Sequence, residues 1–235
     1  MKIALIGDSL TEGRPGVSFV NILKEKYSEI KFVNLGKPGE SVKSLYTRLM
    51  NEKLEIDYDL SFLWIGVNDV YSKLLSVQAQ PVAKDLDEFE EYYVKVLELI
   101  IESSKKVITV TPAIVGENTK NASNNEIKQM NVLIESIASK YENVSFLNMQ
   151  SVFFHHLSEV NPSDYMNTKV MRVMMDVLMY RKASRVDKIS KKRGLHLTLD
   201  GIHLNSVGAQ IVADCYSTIV HDLINENQLT IGRFD

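Results

Sequence analysis

The chain has 235 residues, 45% apolar and 24% charged, the balance of a globular protein with one sizeable core. That composition excludes wholesale disorder, a collagen-like fibre and a coiled coil, and a formal charge of −3 with a pI near 6.0 leaves no global basic field for nucleic acid or anionic membrane. The single cysteine, Cys215, excludes an internal disulfide and a cysteine-rich metal site, and its apolar helical surroundings make it a small core residue.

At the N-terminus, Met1-Lys2 is followed by only Ile3-Ala4-Leu5-Ile6 before Gly7-Asp8 interrupts, short of the roughly 7–15 apolar residues of a signal peptide. No run approaches the ~20 apolar residues of a membrane span. A cytoplasmic protein without a membrane span is expected. Strand-length apolar runs follow at 2–7, 31–35, 60–66, 106–111 and 144–149. Helical periodicity is expected near 16–28, 41–51, 85–104, 124–141 and 206–226. Most of the strand runs are near-continuous rather than alternating, as in parallel strands covered on both faces. The helix at 85–104 opens on Asp85, Asp87, Glu88, Glu90 and Glu91 and is followed by Lys105-Lys106, a charge order that complements the helix dipole. Such strand–helix alternation predicts an α/β fold, one domain over 1–235, with right-handed crossovers and a ligand site beyond the carboxyl ends of the strands.

One stretch breaks the rhythm. About 50 residues separate the end of the fifth strand near 150 from Asp200, far beyond an ordinary strand–helix connection. It reads as a helical insertion at about 151–199, first apolar (Met166, Met171, Met174, Met175, Met179), then basic (Arg181, Lys182, Arg185, Lys188, Lys191, Lys192, Arg193). Between Val170 and Met179 only Arg172 and Asp176 are charged, and they share one face, so the remaining apolar circumference must be covered. Core packing, a lid over the site and a homodimer contact are the three ways to cover it.

Four motifs fall where this architecture puts its chemistry. The first strand ends in Gly7-Asp8-Ser9-Leu10-Thr11-Glu12-Gly13, which presents a serine hydroxyl just past a strand; the alternative is a helix-capping or turn serine. It matches neither the Gly-x-Ser-x-Gly elbow nor a phosphate loop. Asp200-Gly201-Ile202-His203 puts a carboxylate and an imidazole three residues apart, close enough to pair across one turn, so that the histidine can take a serine proton. The remaining histidines, His155, His156, His196 and His221, have no comparable carboxylate context. Donors for a developing oxyanion are on offer after strand two, in Asn34-Leu35-Gly36-Lys37-Pro38-Gly39, and after strand three, in Gly66-Val67-Asn68-Asp69. Either alone is also ordinary turn composition.

Taken in order, Gly7-Asp8-Ser9-Leu10, Asn34-x-Gly36-x-x-Gly39, Gly66-x-Asn68-Asp69 and Asp200-x-x-His203 resemble the four blocks of the GDSL/SGNH hydrolase family, from residue 7 to residue 203. The resemblance implies a flavodoxin-like three-layer α/β/α sandwich with a five-stranded parallel sheet. It implies Ser9 as nucleophile, His203 as general base and Asp200 as its orienting carboxylate. It also implies an oxyanion hole from the Ser9 and Gly36 backbone N–H groups and the Asn68 amide, with no cofactor or metal. The expected reaction is hydrolysis of a small-molecule carboxylic ester through an acyl-enzyme, with an acetyl-type group on a sugar or other polyol first among substrates. Competing readings are a lysophospholipase or thioesterase for longer acyl chains, and a non-catalytic small-molecule binding module on the same fold. For the basic stretch 181–193, a solvated helix face is the expectation rather than a nucleic-acid contact.

Overall fold

The computed structural model describes residues 1–75, 80–168 and 182–231. Five parallel strands, β1 (Lys2–Gly7), β2 (Lys31–Gly36), β3 (Tyr58–Trp64), β4 (Ser104–Val110) and β5 (Val144–Leu147), form one sheet in the order β2-β1-β3-β4-β5. That is the flavodoxin-like order, and the expected fold class holds. Because β1 connects outward to β2 and the chain then returns past it to β3, the connections diverge on either side of β1. The register pairs Gly7 with Gly36 on one side and with Trp64 on the other, so all three strands end at one rim.

Helices α1 (Ser9–Glu12), α2 (Phe19–Lys26), α3 (Val42–Asn51), α4 (Val67–Tyr71), α5 (Leu86–Ile101), α6 (Ala122–Ala138), α7 (Met149–Ser158), α8 (Ala183–Lys192) and α9 (Ser206–Ile231), with a 3-10 turn at Ser72–Leu74, complete the described elements. α2 packs with α9, while α3, α5 and α6 form a second contiguous group. Alternate residues of β3 face the first pair. Phe62 stacks on Tyr216 of α9 with ring centroids 4.0 Å apart, and Phe19 of α2 meets Trp64 edge-on at 5.7 Å. All four rings are buried, and pairs of this kind contribute about 0.5–1.5 kcal/mol beyond the area they cover.

Two boundaries differ from the sequence reading for physical reasons. The helix expected at 85–104 stops at Ile101, because Ser104 already pairs with Tyr58 in the sheet. Lys105 and Lys106 therefore lie on β4 and form ion pairs with Asp59 and Glu226 instead of capping a helix. α7 follows β5 at once and turns Met149, Phe153 and Leu157 into the core. Gln150 fastens it further, its N–H donating to Thr111 Oγ1 at 2.9 Å and its amide to Asn124 O at 3.0 Å. The first eight residues assigned to an insertion, 151–158, thus belong to a helix of the sandwich itself. The apolar stretch 170–179 lies outside the described residues, as does the dimer or lid role attached to it. α8 buries Val186 and Ser190 and leaves Arg185, Lys188, Lys191 and Lys192 exposed to solvent. Cys215 is half-buried in α9, and burial pushes its thiol above the ordinary range, away from a nucleophile's requirement. Among the described residues no helix is long and apolar enough to cross a membrane.

Candidate active site

Asp8, not Ser9, caps the short helix at the end of β1: its side chain accepts the Leu10 N–H at 2.9 Å. This resolves the capping alternative, because Ser9 occupies the first helical position with its hydroxyl released from the cap. Ser9 Oγ lies 3.0 Å from His203 Nε2. On the other side of the ring, His203 Nδ1 lies 2.8 Å from Asp200 Oδ2. The second oxygen of Asp200 accepts the backbone N–H groups of Ile202 and His203 at 3.0 and 2.9 Å. One carboxylate thereby fixes both the turn and the imidazole that the turn carries. Gly201, between the two, has a φ of 97°, a left-handed conformation that favours glycine.

All three side chains are buried, with Asp200 at 1% and His203 and Ser9 at 5% exposure. Burial alone would raise the Asp200 carboxyl. The imidazole and the two N–H donors outweigh it and hold the group below the usual carboxylate range. Asp200 is therefore an anion at neutral pH, aimed at Nδ1. This chain of contacts can draw a proton from Ser9 Oγ to Nε2 while the carboxylate stabilises the imidazolium that results.

The expected oxyanion donors are only partly where the sequence put them. Asn68 is buried near the start of α4, and its amide donates to Glu40 O at 2.9 Å, which leaves one amide hydrogen over. The N–H of Gly36, by contrast, donates to Asn34 Oδ1 at 3.0 Å. Gly36 is required for packing, since a Cβ there would overlap α1, 2.7 Å from Asp8 O. Its expected role as a donor fails on that hydrogen-bond commitment. Three residues on, Gly39 has a φ of 76° and space where a Cβ would stand, and no acceptor for its N–H occurs among the described residues. Gly39 directly precedes Glu40, whose carbonyl holds the Asn68 amide, so the two donors sit on adjoining loops.

Buried carboxyl groups and one guanidinium support these loops. Glu40 and Arg48 form a bidentate pair at 2.5 and 2.7 Å, and the same guanidinium donates to Leu35 O at 3.0 Å. Asp69 accepts the N–H groups of Val42 and Ala83, and burial pushes its carboxyl up to about 6. Burial likewise pushes Asp8 up to about 7, against the opposing pull of the Leu10 N–H and of His203. Behind the histidine loop, Asn167 N donates to Asp200 O at 2.9 Å and Tyr71 OH donates to Asn167 O. A cavity of about 410 Å³ opens beside α1, lined in part by Glu12, Arg14, Asn34 and Ala183; it adjoins the helix that Ser9 begins without including the Ser9, His203 or Asp200 side chains. His155, His156, His196 and His221 are exposed and lie outside the cluster.

Comparison with known proteins places the chain in a family. The family model for GDSL-like lipase/acylhydrolase matches residues 3–216. An acetylxylan esterase from Geobacillus stearothermophilus is 25% identical over 184 residues, covering 69% of this chain and 82% of that protein. Solved structures of like fold include an acetyl xylan esterase called AlAXEase (22% identity, TM-score 0.65, 94% of this chain and all of that one). Another is the Geobacillus acetylxylan esterase Axe2 (22%, TM-score 0.63, 92% and 91%). A third is LAE5, an alpha/beta hydrolase from the metagenome of Lake Arreo, Spain (19%, TM-score 0.67, 94% and 95%). Catalytic mutants of Axe2 replace a serine, an aspartate and a histidine, the aspartate three positions before the histidine.

Proposed function

The chain belongs to the GDSL-like lipase/acylhydrolase family and is a carboxylic ester hydrolase; from that premise we propose that Ser9 is its nucleophile and an acetyl-type ester of a sugar or other polyol its substrate. The observation that carries the first half is the unbroken contact chain from Ser9 Oγ through both nitrogens of His203 to the ionised Asp200. A binding module would have no use for a buried serine, base and carboxylate in this order. The substrate half rests on the acetylxylan esterase at 25% identity.

In the first step Ser9 Oγ attacks the acyl carbonyl carbon as its proton passes to His203 Nε2. The carbonyl oxygen becomes an oxyanion, held by the Ser9 N–H, the Gly39 N–H and the spare hydrogen of the Asn68 amide. Such donors act on charge that exists only in the transition state and intermediate, which is why they accelerate the step rather than merely bind substrate. The imidazolium then protonates the departing alcohol oxygen as the carbon–oxygen bond breaks, leaving the acyl group on Ser9. A water gives its proton to Nε2 as its oxygen attacks the acyl carbon; the bond from that carbon to Ser9 Oγ then breaks, Nε2 returns the proton to Oγ, and the carboxylic acid leaves with Ser9 restored. Asp200 remains ionised throughout and keeps Nδ1 protonated.

The experiment is a panel of esters of one alcohol, from acetyl to octanoyl, together with acetylated xylo-oligosaccharides, each run against the Ser9→Ala variant. Preference for acetyl and release of acetate from the sugar support the reading. A maximum at octanoyl would move the substrate class to longer acyl chains.

A further inference from the structure

Glu117 takes no part in the steps above. It lies in the loop between β4 and α6 and is fully buried. Among the described residues its carboxylate meets no cation. Oε2 accepts the His196 N–H at 2.7 Å, and Oε1 accepts the Leu197 N–H, the Thr198 N–H and the Thr198 hydroxyl, each at 2.8 Å. Three consecutive backbone donors and a side chain thus converge on one group from about 80 positions away.

What these donors belong to gives the arrangement its meaning. Residues 197–205 form a closed loop in which Thr198 bridges antiparallel to Leu204, Leu199 N donates to His203 O at 2.7 Å and Asn205 N donates to Leu197 O at 3.0 Å. Asp200 and His203 sit at its tip. With its proton directed at Glu117, the Thr198 hydroxyl accepts the Gly201 N–H at 3.1 Å, so the clamp reaches the residue after Asp200. The neighbouring Gly116 N–H donates to Gly201 O at 2.7 Å. The clamp is itself anchored: Asn124, at the start of α6, accepts from Val115 N and donates to Gly116 O and Asn118 O at 2.9–3.0 Å.

We propose that Glu117 is a positioning residue of the esterase site, whose carboxylate holds the 196–201 backbone in the conformation that sets Asp200 and His203 against Ser9. The proposal rests on the catalytic reading above. A carboxylate meets this need because it accepts along four directions at once and donates along none. A triad displaced by about 1 Å loses rate far more than it loses affinity.

The test compares Glu117→Gln, Glu117→Ala and, as a control for stability alone, Leu97→Ala, a buried core position on α5. Measured are kcat and KM on a short-chain ester, the rate of Ser9 labelling by a fluorophosphonate, and Tm. For Glu117→Ala the expected result is a kcat lower by tenfold or more with KM within about twofold, and a labelling rate that falls in parallel. Glu117→Gln keeps one acceptor oxygen and turns a donor toward a backbone N–H, so it is expected to fall between Ala and the parent even if the alanine variant does not fold. Kinetic losses no larger than those of Leu97→Ala at a similar drop in Tm overturn the proposal. So does a KM that rises while kcat holds. If instead Ser9→Ala retains turnover, it is the catalytic reading that fails, whatever the Glu117 variants do.

Discussion

Ser9 Oγ and His203 Nε2 stand 3.0 Å apart, although 194 positions separate them in the chain. The sheet supplies one side of that contact, since β1 delivers Ser9 to the rim. The clamped loop before α9 supplies the other. A hydrogen bond across so long a separation depends on the whole fold, which makes the site sensitive to changes that never touch substrate.

Replacing Asp200 by asparagine keeps the shape and leaves an oxygen for the Ile202 and His203 N–H groups. It removes the charge that opposes Nδ1 and permits the wrong imidazole tautomer. The expected loss in kcat is on the order of 10³–10⁴-fold, with secondary structure preserved by circular dichroism. A loss under tenfold contradicts the role given to this carboxylate.

Asn68→Ala removes one donor to the oxyanion while the serine, histidine and aspartate remain. The expected fall is about 10²–10³-fold in kcat, with a smaller change in KM. Steady-state kinetics on an acetyl ester separate the two parameters, and a change confined to KM would assign Asn68 to substrate binding alone.

The Glu40–Arg48 pair, with side chains 7% and 10% exposed, braces the loop that carries Gly39. Arg48→Ala strands a buried carboxylate and is expected to destabilise the protein by about 3–5 kcal/mol. The double change Glu40→Gln with Arg48→Met should recover part of that loss. Urea unfolding of the parent and the two variants checks both statements, and equal stability of single and double variants would deny a coupled pair.

Asp8 and Asp200 predict opposite dependences of stability on pH. The Asp8 carboxyl is raised by burial to about 7, so the folded state holds its proton more tightly than the unfolded chain. Its contribution is complete at pH values below about 4, the carboxyl's ordinary pKa, and is lost as pH rises through 7. Asp200 is lowered, so its contribution is present above about 4 and is lost as pH falls through its folded value. Asp8→Asn retains an oxygen for the Leu10 N–H, and it should flatten the decline between pH 4 and 8 by an amount on the order of a few kcal/mol. Denaturation curves across that range that run parallel for parent and variant would rule out a buried, protonated Asp8.

Much of this was legible in the sequence because it is local. The five strands announce themselves as near-continuous runs such as Ile3-Ala4-Leu5-Ile6, and Asp200-Gly201-Ile202-His203 needs only one turn to pair its ends. Parallel strands also force their carboxyl ends to one rim, so four short motifs converge without any long-range information. The Gly36 assignment failed because a glycine kept for strand–helix packing and one kept for an open N–H look alike in sequence. The hydrogen bond from Gly36 N–H to Asn34 separates them. α7 was missed because the gap to Asp200 dominated the reading, although Met149, Phe153 and Leu157 recur at helical spacing. Glu117 carried no local signal, since its partners lie about 80 residues away. Asp8 did carry one: an aspartate between a strand and a helix is an ordinary N-cap.

The most direct test of the account is covalent labelling of the serine. A fluorophosphonate probe should modify Ser9 and no other residue, as read by peptide mass spectrometry, with matching loss of esterase activity. Ser9→Ala should fold with a Tm close to that of the parent and show neither label nor turnover. A label on a different residue, or ester hydrolysis undiminished in Ser9→Ala, would contradict the central claim.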